Sequence, residues 1–185
     1  MARVISKIGF EASQSTPTIV GLCEVENRKV VEDLISDPQL KESNYGIVHV
    51  DSPDERGIDV ALIFKKNHFV PTSFYNHPLY LFNENGKRDY TRDQLLVTGL
   101  LDGEEVHFIV NHWPSRSGGE MRSRPSRNQA AELNVEIIDS IRSIHEKPKI
   151  VTMGDFNDDP ISPSIKDFLK AKMDIKNVNS GELYN

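Results

Sequence analysis

A layered α/β fold is predicted by two features of the sequence: short, almost wholly apolar strand runs alternate with stretches of helical periodicity, and one long amphipathic helix has the length to cover a sheet. A third observation bounds it. At 185 residues with 37% hydrophobic content, the chain can bury one sizeable core and is short for two, so residues 1–185 are expected to form a single domain.

The first segment, Ala2 to Ile8, places Val4, Ile5 and Ile8 on one helical face before a polar turn at residues 13–17. Thr18 to Val25 has the continuous apolar character of a strand buried on both faces, with carboxylates only at its exit. Asn27 is positioned to cap a helix carrying Val30, Val31, Leu34 and Ile35, which closes before Pro38. Strands are expected over residues 45–50, 58–64, 94–101 and 105–111, the last two joined by a hairpin through Asp102-Gly103. Phe74 to Thr91 has mixed polarity and is expected to be irregular. The longest helix is expected from about Arg127 to His145, with Ala130, Leu133, Ile137, Ile141 and Ile144 on one face. A buried strand follows at Lys149 to Met153, then a short helix near Ser164 to Ala171.

Composition narrows function. Twenty-eight acidic against 22 basic residues give a net charge of -6, so there is no general basic footprint for a polyanion and any phosphate must be held locally. A divalent cation would do this, because it can reverse the sign of an acidic cleft. The single cysteine, Cys23, excludes a disulfide framework and a multi-cysteine zinc site. No run approaches the roughly 18 apolar residues of a membrane span, so the chain reads as soluble; whether cytoplasmic or exported depends on what precedes Met1.

Five segments could carry chemistry. In Val151-Thr-Met-Gly-Asp-Phe-Asn-Asp158 a strand runs into a glycine and then presents Asp155 and Asn157, a hard oxygen ligand and a neutral donor for a phosphoryl oxygen; an Asx-rich turn is the bland alternative. Glu24 emerges at the end of a buried strand, where a charge is costly unless paired or metal-bound; Glu26 follows at period two, and spacing does not decide between them. Asn111 and His112 stand where a strand meets a glycine-rich loop, a setting the other five histidines lack, and an imidazole there can donate to a phosphate or protonate a leaving group. Arg116, one of four arginines in the loop expected from Ser115 to Arg127, is a candidate phosphate contact. Asp59, inside an apolar strand, and Arg92, at the start of another, read singly as ion-paired scaffold.

Together Leu22-Cys-Glu-Val25, Arg56-Gly-Ile-Asp-Val-Ala61, Thr91-Arg-Asp93, Asn111-His-Trp-Pro114 and Gly154-Asp-Phe-Asn157 resemble, in order and approximate spacing, the endonuclease/exonuclease/phosphatase superfamily with its deoxyribonuclease-I-like fold. The resemblance implies an α/β (α+β) four-layer α/β/β/α sandwich of two mixed sheets. It implies Glu24 as a Mg²⁺ ligand (Mn²⁺ as the alternative ion), and Asp155 and Asn157 as the pair that positions water and stabilises the pentacovalent state. It also implies His112 acting on the phosphate or leaving group, with Asn111, Arg92 and Arg116 assigned to phosphate and Asp59 to support. The expected activity is Mg²⁺-dependent phosphoester hydrolysis by in-line water attack, on a phosphate ester with nucleic acid among the candidates; no partner protein is implied. The alternative is a non-catalytic module that binds a phosphorylated ligand. The family's first strand with its asparagine, and its closing Ser-Asp-His segment, have no counterpart between Met1 and Asn185, so the expectation is an internal fragment incomplete at both termini.

Overall fold

The sequence Asp59–Lys65 is apolar between its two charged ends, and in the computed structural model, which describes residues 1–179 and 181–185, every one of these residues is buried, Asp59 against His49 and Lys65 against the Ser15 hydroxyl. This is strand β3, the centre of an antiparallel sheet ordered β1-β3-β2 with β1 at Ile19–Val25 and β2 at Tyr45–His49. Successive β3 side chains point to opposite faces. Val60, Leu62 and Phe64 enter one hydrophobic cluster, and Ala61 and Ile63 enter another.

The second cluster lies under α1 (Ala2–Ile5) and α3 (Arg28–Ile35), through Ala2, Ile5 and Val31; a separate short turn, α2, spans Phe10–Ser13. The Asn27 side chain caps α3 as expected, accepting a hydrogen bond from Val30 N at 3.1 Å. The first cluster faces a larger sheet ordered β4-β7-β8-β9, made of β4 (Phe69–His77), β7 (Gln94–Leu101), β8 (Glu104–His112) and β9 (Lys149–Asp155). Between β4 and β7 in the chain lies a hairpin of β5 (Leu81–Phe82) and β6 (Arg88–Asp89). A third cluster, around Ile109, Trp113, Ala130, Ile137 and Ile138, packs α4 (Glu120–Ile144) on the outer face of the larger sheet. The order α, β, β, α therefore follows from three buried interfaces. The larger sheet is mixed, since β8 and β9 run parallel; the smaller is antiparallel throughout, unlike the two mixed sheets expected.

Three expected elements are corrected. Phe74 to His77 is regular, the second half of β4, and its polarity is mixed because β4 is an edge strand with Val70, Phe74 and Tyr75 exposed; Pro71 is tolerated there beside a register shift. The long helix starts at Glu120, seven residues before its expected start, so most of the supposed 115–127 loop is helical. Pro125 removes one helical hydrogen bond, and Glu120 pairs with both Arg124 and Arg127 across those turns. The expected helix at 164–171 is a single wide turn, Ser164–Phe168.

Candidate active site

Parallel pairing of β8 and β9 sets Asn111 against Gly154 and His112 against Asp155, and Trp113 N donates to Asp155 O at 2.9 Å to extend the ladder. His112 and Asp155 thus leave the sheet side by side. Gly154 is required by this approach: its φ is +128°, and a Cβ there would lie 2.0 Å from the Asn111 carbonyl oxygen. That oxygen also accepts from Cys23 Sγ at 3.2 Å, so β1 is fastened across the sandwich at the same level.

Glu24 is brought to this end by a bulge. The β1–β3 register shifts between Leu22 and Val25, Glu24 adopts φ +58°, and Leu22 and Val25 both face the helix-covered core with an exposed carboxylate between them. The bulge breaks the period-two relation between Glu24 and Glu26. A left-handed glutamate in a strand costs energy, which is the kind of strain found where a side chain must be aimed.

His112 is 5% exposed and its Nδ1 has no hydrogen-bond partner among the described residues. Burial pushes its pKa down, the charge of Arg92 adds to this, and the carboxylates of Asp155 and Glu24 oppose it, with Arg56 again lowering. The net shift is downward, so the ring is neutral at neutral pH and retains one N–H to donate. Glu24 follows Cys23, whose Sγ meets the Asn111 carbonyl, Asp155 lies in register with His112, and Arg92 and Arg56 both approach Asp54 with Arg92 also on His112 O, so these groups stand at the same end of the sandwich.

The loop after β8 is locked through the Trp113 carbonyl, which accepts from Arg92 (2.8 Å) and from Asn157 Nδ2 (2.9 Å). Asn157 has φ +50°, and its N–H donates to Asp155 Oδ1 at 2.9 Å, closing the Asx turn. Phe156 meets Trp113 edge to face, with ring centroids 4.8 Å apart. Arg92, 6% exposed, also donates to His112 O (3.3 Å) and pairs with Asp54 (3.0 Å). It braces the loop.

Like Arg92, the other two residues assigned to phosphate already hold protein partners. Asn111 is fully buried: its Nδ2 donates to Thr152 Oγ1 (2.8 Å) and Met153 O (3.1 Å), and its Oδ1 accepts from Trp113 Nε1 (3.0 Å) and Asn134 Nδ2 (2.9 Å), leaving nothing for a ligand. Arg116 donates to Asn157 O (3.0 Å) and pairs with Asp158 and Asp159, so it holds the 155–159 loop. Asp59 accepts from Ser52 N (2.8 Å) and Oγ (2.7 Å) and from His49 (3.0 Å), a support for the β2–β3 connection. Asp54 is passed over in the sequence reading, and Arg56 enters it only as the start of the Arg56-Gly-Ile-Asp-Val-Ala61 segment, with no role. Asp54 leaves no trace beyond a charged run between two strands, which a solvated loop also produces.

Asp158 anchors the same loop from below. Burial pushes its carboxyl up, but the Ser164 hydroxyl and the Arg127 guanidinium, helped by Arg116, outweigh this and hold it below the ordinary carboxylate range. A depressed folded pKa stabilises the protein above the unfolded value and loses that contribution as pH falls through the folded one. Stability from Asp158 is thus complete above about pH 4 and lost below it. Urea midpoints measured from about pH 5 to about pH 3 are expected to fall less steeply in Asp158→Asn than in wild type.

Four layers with acid, amide and imidazole groups gathered where β1, β8 and β9 end define the deoxyribonuclease-I-like class of phosphoesterase folds. The chain belongs to the Endonuclease/Exonuclease/phosphatase family, whose profile matches residues 1–185. Among solved structures it is similar to the human Nocturnin catalytic domain with bound sulfate (TM-score 0.61, 20% identity, 90% of this chain and 60% of that one). It is also similar to ANGEL2, a 2′,3′-cyclic phosphatase, in complex with adenosine-2′,3′-vanadate (TM-score 0.65, 17% identity, 91% of this chain and 46% of that one). A third likeness is to D. rerio TDP2 complexed with single-strand DNA product (TM-score 0.61, 14% identity, 90% of this chain and 56% of that one). The chain therefore spans about half the length of these proteins. Comparison with curated protein sequences gives no match. Among the described residues no helix is long and apolar enough to cross a membrane.

Proposed function

We propose that this site hydrolyses a phosphodiester by direct attack of water. The observation that carries the reading is the convergence of Glu24, His112 and Asp155 at the ends of three strands: Glu24 on a bulge, His112 buried with Nδ1 unpartnered among the described residues, and Asp155 directly after the Gly154 turn.

A divalent metal suits these donors. Glu24 is exposed and lies in no ion pair among the described residues, and Asp155 uses one oxygen on Asn157 N while the other is free. Magnesium takes one or two carboxylates and completes its shell with water and substrate phosphate, so Glu24 with Asp155 nearby is enough; among the described residues the cleft has no group of three His, Cys, Asp or Glu ligands in mutual reach. Such an ion supplies charge neutralisation at the phosphoryl oxygens. Asp155 orients the attacking water and accepts its proton as the new P–O bond forms and the bond from phosphorus to the leaving ester oxygen breaks, that oxygen taking a proton from bulk water. The neutral His112 ring donates to a phosphoryl oxygen, and Asn157, whose Oδ1 has no partner among the described residues while its amide is fixed on Trp113 O, helps hold the attacking water. A groove adjoining the site is lined by the exposed arginines Arg56 and Arg122 and by Tyr90 and Ser115, together with Asp54, Glu55 and Asp89; Tyr90 and the two arginines suit a nucleotide or a short single-stranded nucleic acid.

The test is Mg²⁺-dependent hydrolysis of bis-p-nitrophenyl phosphate and of a single-stranded oligonucleotide. Glu24→Ala and Asp155→Ala are each expected to lose about 100-fold or more in kcat/KM with unchanged circular dichroism. Unchanged turnover in both variants defeats the proposal, and tight oligonucleotide binding without any hydrolysis in wild type points instead to a binding module.

A further inference from the structure

We propose that Glu105, His107 and His145 form a zinc-class transition-metal site at the end of the larger sheet opposite the cleft. His107 and His145 are among the five histidines with no special setting in the sequence, and the fold provides one.

The site is built from two elements. Glu105 and His107 are two residues apart on β8 and share the face on which α4 packs, while His145 directly follows α4 and closes it, its N–H donating to Ile141 O at 3.0 Å. The His107 ring is held at one nitrogen: Nδ1 meets Thr98 Oγ1 at 2.8 Å, across the Thr98–His107 register pair of β7 and β8. Its other nitrogen, Nε2, is buried and without a hydrogen-bond partner among the described residues, in a side chain only 3% exposed. A polar atom left bare in this way is unfavourable unless something meets it. What lies before it is Glu105 Oε1, 3.8 Å away, which is also 3.1 Å from His145 Nδ1; all three ligand atoms fall within 4.8 Å of one another.

Two imidazoles and one carboxylate are a zinc donor set, with Thr98 in the role of the outer hydroxyl that fixes the ligand tautomer. Ligand atoms about 2.0 to 2.1 Å from a tetrahedral ion stand about 3.3 Å apart, so the cluster needs to contract by about 1.5 Å at most. Glu105 and His145 are the groups that would move, and both are partly exposed, at 43% and 37%. The open pocket around them leaves the fourth position to water. Lys149 lines that pocket but is paired with Glu104, so its charge is met. Magnesium prefers an all-oxygen shell, which separates this site chemically from the cleft, and five residues of strand, about 17 Å, separate it in space from His112. Metal here ties the carboxyl end of α4 to the first residues of β8.

The measurement is calorimetric titration of metal-free protein with Zn²⁺, paired with Co²⁺ titration followed by visible absorption. A Glu24→Gln/Asp155→Asn protein removes the cleft's ligands and is expected to bind one equivalent of zinc with wild-type affinity and to gain melting temperature on doing so. His145→Ala, a partly exposed change whose folding is checked by circular dichroism, is expected to weaken zinc at least tenfold and to lose the thermal gain. Glu105→Gln gives a second variant that spares the buried His107. No zinc uptake by the Glu24→Gln/Asp155→Asn protein overturns the proposal and leaves only a histidine–glutamate ion pair. Undiminished affinity in both His145→Ala and Glu105→Gln overturns it equally.

Discussion

Gly154→Ala is expected to cost about 4 kcal/mol of folding stability, enough to leave a domain of ordinary stability marginal. Two effects add. The φ of +128° is a conformation that only glycine adopts readily, and forcing alanine into it costs about 1–3 kcal/mol. The new methyl would also stand 2.0 Å from Asn111 O and 2.9 Å from Asn111 N and C, all backbone atoms of the neighbouring strand, which cannot turn aside as a flexible side chain can. β9 must therefore move away from β8, which adds about 1–3 kcal/mol of the kind seen on overpacking a core. The displaced carbonyl is the one that accepts from Cys23, so the damage spreads to the contact between sheets. Urea denaturation gives the result directly as a lowered midpoint at constant slope, and a midpoint within experimental error of wild type would contradict the close approach described for these strands.

Much of this architecture was readable in the residues because burial on both faces leaves a strong pattern. β3 and β8 are apolar runs since both of their faces are covered, the Asp102-Gly103 turn announces the β7–β8 hairpin with both residues at positive φ, and Asn27 marks the start of α3. What stayed hidden was of two kinds. Edge strand β4 and the first two turns of α4 contain Pro71 and Pro125, residues that argue against regular structure locally and are overruled by pairing and by the Glu120 ion pairs. In the site, residue type was legible and commitment was not. Asn111 and Arg92 have the donors a phosphate wants, and nothing in the spacing says that Asn134, Trp113, Asp54 and two backbone carbonyls already use them. Spacing likewise did not separate Glu24 from Glu26, because the bulge that does so depends on the β3 register, where Leu22 meets Ala61 and Val25 meets Asp59.

Arg127→Met is expected to cost about 3–5 kcal/mol, and its interest lies in where the damage falls. Arg127 is wholly buried; its Nε pairs with Asp158 at 2.8 Å and its NH1 donates to Ser123 Oγ at 2.8 Å, while Asp158 is itself only 1% exposed. Removing the guanidinium strands a carboxylate in the interior with Ser164 and the distal Arg116 as its remaining partners. Desolvation of that charge, rather than loss of the pair's own attraction, sets the cost, so Arg127→Met/Asp158→Leu is expected to recover most of it even though it lacks both charges. Asp158 is the next residue after Asn157, and the turn that positions Asp155 and Asn157 is held from one side by Trp113 O and from the other by this pair. The double variant should therefore regain its urea midpoint yet keep a reduced kcat on bis-p-nitrophenyl phosphate, because apolar packing restores stability without restoring the direction in which the turn is pulled. Full recovery of both quantities would show that the buried pair serves the fold alone.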